Sequence, residues 1–396
     1  MALSRSQSGL LFFSLLTIAI GQSLVFALLA PLGREVGLSE VQITSIIAIS
    51  AGMYGWISPI WGRFSDYRGR KPVLLTGLVG FTLGIFLFTS VFQAGLMGWL
   101  VGLPLYVLAI VTRCIQSSIM AATPPACSAY AADLTSAEQR MGAMARLGAA
   151  NSLGTILGPA VSGALATLGL LAPLYFAGLM TALAAVLVWR KLPAIPAVAR
   201  KSHEARARLR YRDPRIFRYI AAAVGMFSGF GAIQQTLGFS IQDRLELTGV
   251  ATAQYTGGAF MVAAISAFFA QGVVLQKAKL APEQFVLAGL GCMLLSAGFI
   301  ASFSEMGYLL VGMAFMGMGT GLALPSISAA ASMAVTPGEQ GAVAGLVASS
   351  PAIGFIAGPV IGGLLYQQNS AFPGIFSGLV FIIVFAQLIL NPRRVA

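Results

Sequence analysis

Roughly twelve apolar stretches run through this chain, near residues 8 to 31, 42 to 61, 72 to 93, 102 to 130, 141 to 166, 171 to 190, 216 to 239, 251 to 275, 284 to 302, 306 to 332, 341 to 366 and 373 to 391. At about 20 residues each, they have the length a helix needs to cross ~30 Å of hydrocarbon. The prediction is an all-α membrane protein with twelve transmembrane helices. A soluble globule is excluded: 57% of the 396 residues are hydrophobic, 9% are charged, and the mean hydropathy is +0.85. The first run follows Ser4-Arg5-Ser6 and is longer than the roughly 7 to 15 residue core of a secretory signal, so it is read as a retained span.

Basic residues gather on alternate sides of these spans. Arg5 precedes span 1; Arg63, Arg68, Arg70 and Lys71 follow span 2; Arg140 and Arg146 follow span 4; a run from Arg190 to Arg218 follows span 6; Lys277 and Lys279 follow span 8; Arg393 and Arg394 end the chain. Only Arg34 and Arg244 fall on the opposite side, and Arg113 lies inside span 4. The positive-inside rule then puts both termini in the cytoplasm. This topology accounts for the net charge of +12, and no nucleic-acid partner is expected. Cys114, Cys127 and Cys292 are odd in number and lie in or near spans, so no disulfide framework is implied. His203 is the only histidine, which removes histidine metal sites and catalytic dyads. Neither a cofactor nor an enzyme activity is expected.

Between spans 2 and 3 the chain reads Gly62-Arg63-Phe64-Ser65-Asp66-Tyr67-Arg68-Gly69-Arg70-Lys71, a charged, glycine-containing turn between two apolar runs. A second pattern repeats across the chain. Gly154, Gly158, Pro159 and Gly163 of span 5 recur as Gly354, Gly358, Pro359 and Gly363 of span 11, and Pro125 recurs as Pro325, all 200 positions on. A duplicated unit of equal halves explains this most simply. Where the first half has Gly62 and Asp66, the second has Gly272 and Gln276. The halves are placed at 1–190 and 216–396, and the arginine-rich segment 191–215 is a cytoplasmic linker or, in the other reading, an amphipathic helix on anionic lipid.

The Gly62 to Lys71 turn resembles the signature loop of major facilitator superfamily transporters, and the span 5 and span 11 motifs resemble those of the twelve-span drug:proton antiporters. Span 11, with Gly345, Gly354, Gly358, Pro359, Gly362 and Gly363, matches more fully than span 5, where Ala145 and Ser162 stand at two glycine positions. The resemblance implies two pseudo-symmetric six-helix halves with a substrate cavity between them at the midplane. It also implies gating and coupling by Gly62, Asp66, Gly69, Arg70, Lys71 and Asp133, with Arg70 paired to Asp133. Asp66 is further expected to meet the amino-terminal end of span 11, near 338 to 341, where free N–H groups attract a carboxylate. One departure is Tyr67, where the family usually has arginine. Small residues four apart let helices pack closely and the prolines kink them, so Gly154, Gly158, Pro159, Gly354, Gly358 and Pro359 read either as a hinge or as plain helix packing.

A guanidinium at mid-span costs on the order of 2.5 to 3.5 kcal/mol on insertion scales, so such a residue usually has work to do. Arg113-Cys114-Ile115-Gln116 resembles the fourth-span motif of proton-coupled members, with Ser117 in place of the usual glycine; bonding of Arg113 to carbonyls of a neighbouring helix is the competing reading. All 12 acidic residues fall in loops or at span ends. A positive mid-span residue without a mid-span acid points to anionic, zwitterionic or neutral cargo over a lipophilic cation. Gln22, Tyr54, Gln116, Asn151, Gln234, Gln235 and Tyr255 are expected, by resemblance, to line the cavity with Arg113; interhelical hydrogen bonding is the alternative for each.

The sequence therefore reads as a proton-coupled exporter in a bacterial inner membrane, monomeric, whose partners are a small-molecule substrate, protons and the lipid bilayer. A facilitator or importer of a small polar metabolite, such as a siderophore, is the alternative, because direction is not written in these motifs.

Overall fold

A computed structural model describes residues 3–194, 210–278, 280–336 and 339–390. The helices are α1 (Arg5–Glu35), α2 (Glu40–Arg68), α3 (Arg70–Leu96), α4 (Gly102–Met120), α5 (Thr123–Asp133), α6 (Ala137–Leu165), α7 (Ala172–Lys191), α8 (Phe217–Arg244), α9 (Gly249–Phe269), α10 (Leu275–Lys277), α11 (Pro282–Ser302), α12 (Met306–Ser332), α13 (Gln340–Gln368) and α14 (Phe372–Leu390). Helices satisfy all but their terminal backbone groups internally, which the hydrocarbon demands. Most of the linker, 195–209, lies outside the described residues, as do His203, Lys279, Arg393 and Arg394.

Local sequence sets the helix ends. Ser4 and Gln7 form a reciprocal capping box at the start of α1, with Ser4 N donating to Gln7 Oε1 at 2.9 Å and Gln7 N to Ser4 Oγ at 3.2 Å; Ser39 and Gln42 do the same for α2. Between α2 and α3 the chain reverses on one residue, Gly69, at φ +91°, a conformation that side-chain-bearing residues rarely adopt. The single span expected over 102 to 130 is two helices, α4 and α5, broken at Ala121 and Ala122. Pro124 and Pro125 explain the break: proline cannot continue a helix but fits its first turn. Similarly, α9 passes through a π turn over Ala270–Val274 before α10.

Among the described residues, eleven segments are long and apolar enough to cross a membrane, counting α4 with α5 and α9 with α10 as one each. The 29-residue α6 has the length for the twelfth, with Arg140 and Arg146 confined to its first third. This is an all-α, multi-pass membrane protein.

The chain divides into two compact units, one of Met1–Lys201 with Thr248–Gly258, the other of Ser202–Leu247 with Ala259–Ala396. Inside the first, α1 packs on α6 and α7, and α3 on α4 and α7. Inside the second, α8 packs on α13 and α14, and α11 on α12 and α14. The same pairings recur in the same order, as a duplicated unit requires.

The repeated glycines make the first of these pairings possible. A Cβ on Gly154 would lie 2.5 Å from Ala19 Cβ and 2.7 Å from Leu16 O, and one on Gly158 would strike Ser23 Oγ and sit 2.7 Å from Ile20 O. In the second unit, a Cβ on Gly354 would lie 2.6 Å from Phe227 Cβ, and one on Gly358 would strike Ser228 O. Each motif thus presses against the first helix of its own unit, backbone to backbone, and Ser23 Oγ donates across the contact to Gly154 O at 3.1 Å. Pro159 and Pro359 lie inside α6 and α13.

Candidate functional site

Arg113 sits in α4 and is 2% exposed. Its Nη1 donates to Gln116 Oε1 at 2.5 Å, one turn along the same helix. Its Nη2 donates to Gln22 Oε1 of α1 at 2.6 Å. The guanidinium carbon lies 5.7 Å from the centre of the Phe88 ring of α3, close enough for a cation–π attraction. Among the described residues no carboxylate accepts from Arg113. Its Nε and Gln116 Nε2 are buried without a partner. The competing expectation, bonds to backbone carbonyls of a neighbouring helix, is replaced by bonds to two side-chain amides. The arrangement is a fixed positive charge held by neutral acceptors, with two N–H donor groups to spare.

Glycine on α3 positions this cluster. A Cβ on Gly84 would lie 2.6 Å from Gln116 Cβ, and one on Gly80 would meet Ile119 2.7 Å from its Cβ. Gly80 and Gly84, four residues apart, let α4 lie close enough for Gln116 to be fully buried beside α3. Sequence reasoning passed over this pair and Phe88. The i, i+4 glycine spacing in span 3 was the available signal.

A second charged cluster lies where α2, α3 and α5 end. Arg70, 5% exposed, donates from Nε to Asp133 Oδ2 at 2.9 Å and from Nη1 to Ser65 Oγ at 2.7 Å. Its Nη1 also lies 2.6 Å from Asp66 Oδ1. Arg70 therefore joins both acids, and Ser65 is a participant that sequence reasoning missed. Lys71 Nζ caps the end of α7 through Trp189 O at 2.8 Å. At Gly62, Pro125 Cβ of α5 would be 3.7 Å from an added Cβ. Of the predicted contact region for Asp66 near 338 to 341, residue 338 lies outside the described residues.

The other predicted cavity residues are not gathered around Arg113 by any hydrogen bond. Tyr54 is partly buried on α2, Asn151 is exposed on α6, and Tyr255 is exposed on α9. Gln234 and Gln235 are neighbours on α8; Gln234 Oε1 and Gln235 Nε2 are buried and unpartnered.

Every described carboxylate sits in a loop or near a helix end. In the second unit Arg215 bridges Asp213 and Glu339, with Nη2 2.8 Å from Asp213 Oδ2 and 2.9 Å from Glu339 Oε1. Hydrogen bonds from Arg215, then from Thr336, hold the Glu339 carboxyl down to about 2, and Arg215 likewise holds Asp213 below the usual carboxylate range.

Comparison with known proteins bears on this arrangement. The sequence profile of the Major Facilitator Superfamily matches residues 11–304. Multidrug resistance protein 2 of Bacillus subtilis (strain 168) is 25% identical over 92% of this chain and 90% of its own length. The class D tetracycline resistance protein of Salmonella ordonez is 25% identical over 89% of this chain and 87% of its own. Among solved structures, that of the nucleoside transporter NupG is similar with a TM-score of 0.77 at 14% identity, covering 98% of this chain and 100% of that one. The human organic anion transporter MFSD10 gives 0.66 at 20% identity, covering 97% and 99%.

Proposed function

This chain belongs to the major facilitator superfamily and is a transporter, and we propose that it exports amphipathic anionic or zwitterionic compounds in exchange for protons, by alternating access. One observation carries the choice of cargo: Arg113 is buried, is held only by the amide oxygens of Gln22 and Gln116, and has donors left over. A buried cation without a carboxylate is best completed by a negative group arriving on the substrate. Relatives named for multidrug and tetracycline resistance support export, and tetracycline, a zwitterion, belongs to the cargo class that Arg113 favours.

Coupling runs through Asp66, Arg113 and Asp133. The ion pairs of Arg70 with Asp66 and Asp133 hold the joint between α2, α3 and α5, which is the gate of the first half. Gly62, Gly69 and Lys71 shape that joint. Gly154, Gly158, Pro159, Gly354, Gly358 and Pro359 form close, kinked pairs with α1 and α8 that rock with their halves. Tyr54, Asn151, Gln234, Gln235 and Tyr255 are further cargo contacts. The halves are 1–190 and 216–396, tethered by 191–215. The distribution of arginine and lysine supports both termini lying in the cytoplasm, and the protein works as a monomer in the inner membrane.

The test is efflux of tetracycline, and separately of a lipophilic cation, from loaded proteoliposomes with the proton gradient imposed or collapsed. Export of tetracycline that stops on collapse supports the reading. Export indifferent to the gradient makes the protein a facilitator, and export of the cation alone removes the assigned role of Arg113.

A further inference from the structure

We propose that the second unit holds one anionic phospholipid in a groove beside the start of α8, with the headgroup phosphate on Arg212. The groove measures about 750 Å³ and its walls are apolar, including Ile220 and Val224 of α8, Ile353 of α13 and Ile383 of α14, with Tyr211 and Arg212 also lining it. Because Tyr211 and Arg212 precede the first residue of α8, they sit at its mouth, and the apolar wall from Phe217 to Val224 continues along the helix for roughly 10 Å. The groove therefore presents charge at the end of a span and hydrocarbon beyond it, the layout of a phospholipid in one leaflet.

Charge complementarity selects an anionic lipid. Arg215 and Arg218 are engaged by acids, Asp213 with Glu339 and Glu283, whereas Arg212 has no acidic partner among the described residues. Tyr211 is fixed as one wall of the mouth by a 2.8 Å hydrogen bond between its hydroxyl and Ser349 Oγ of α13. Ile383 is 66% exposed, and in a bilayer its surroundings are acyl chains. An arginine facing the headgroup layer above such a wall binds phosphate by charge and by its fork of N–H donors. The proposal concerns the lipid-facing surface and does not depend on which cargo is carried.

Native mass spectrometry of the full-length protein, delipidated and then offered phosphatidylglycerol or phosphatidylethanolamine of matched acyl length, tests this. Wild type is expected to retain phosphatidylglycerol preferentially, Arg212→Gln to lose about fivefold of that retention, the equivalent of about 1 kcal/mol, and Arg212→Lys to keep most of it. Equal retention by wild type and Arg212→Gln overturns the proposal, as does equal binding of the two lipids by wild type. Displacement of the lipid by millimolar inorganic phosphate would mark a free-anion site and overturn it too. A photoreactive residue in place of Ile383 should crosslink to phosphatidylglycerol; crosslinking to the chain's own 195–209 or 391–396 segment would show that the protein fills the groove itself.

Discussion

Arg70 Nε lies 2.9 Å from Asp133 Oδ2, tying the first residue of α3 to the last of α5. The same guanidinium reaches Asp66, but the two acids are not equivalent: the Asp133 side chain is 12% exposed and that of Asp66 46%. Loss of a buried partner leaves a charge uncompensated, whereas an exposed pair contributes little. Asp133→Asn is therefore expected to lower stability by about 2 to 4 kcal/mol and Asp66→Asn by at most about 1 kcal/mol. Thermal unfolding in detergent reads the order, and a larger loss at Asp66 would contradict it.

Within α6, glycines differ by what surrounds them. Gly158 has α1 backbone where a Cβ would go, whereas Gly148 has nothing within 4 Å. Gly158→Ala should destabilise the protein by about 1 to 3 kcal/mol through overpacking. Gly148→Ala should be neutral or stabilising by up to about 1 kcal/mol from helix propensity. Melting temperatures of the two variants provide the check.

The Glu339 carboxyl is held down from the usual 4.5 to about 2 by Arg215 and Thr336. A group depressed on folding stabilises the protein above its unfolded value, and that contribution disappears as pH falls through the folded one. The melting-temperature gap between wild type and Arg215→Ala should thus be constant above about pH 5 and shrink steadily toward pH 2. A gap that widens on acidification would contradict the assignment.

Gln22 and Gln116 share the task of holding Arg113, but Gln116 is on the same helix and Gln22 reaches it from α1. Gln22→Leu keeps the local Arg113–Gln116 bond and removes the tie between helices. It is expected to reduce gradient-driven transport by about tenfold or more, on the scale of about 1.5 to 3 kcal/mol for a hydrogen bond to a charged group. Transport equal to wild type would show that the α1 contact is only packing.

The architecture was legible because hydrocarbon permits so few solutions: runs of about 20 apolar residues read directly as spans. The Arg70–Asp133 pair was also expected, by resemblance to a family loop. The sequence did not show the break at Ala121 and Ala122 as such, although Pro124 and Pro125 stood beside it, since hydropathy averages across a proline turn. Nor did it show what Arg113 touches. Gln22 comes from α1 and Phe88 from α3, and one-helix periodicity carries no record of which neighbour a side chain meets. Tyr54, Asn151 and Tyr255 were named as polar residues in spans, yet polarity alone does not say which face of a helix they occupy.

The most direct test of Arg113 as the centre of coupled export is tetracycline transport in proteoliposomes with an imposed pH gradient, comparing wild type with Arg113→Ala. Gradient-driven transport in wild type that falls at least about tenfold in the variant, the equivalent of about 1.4 kcal/mol or more, while the variant retains the wild-type melting profile, is the predicted result. Equal gradient-driven rates in the two proteins, or wild-type transport that ignores the gradient, would contradict it.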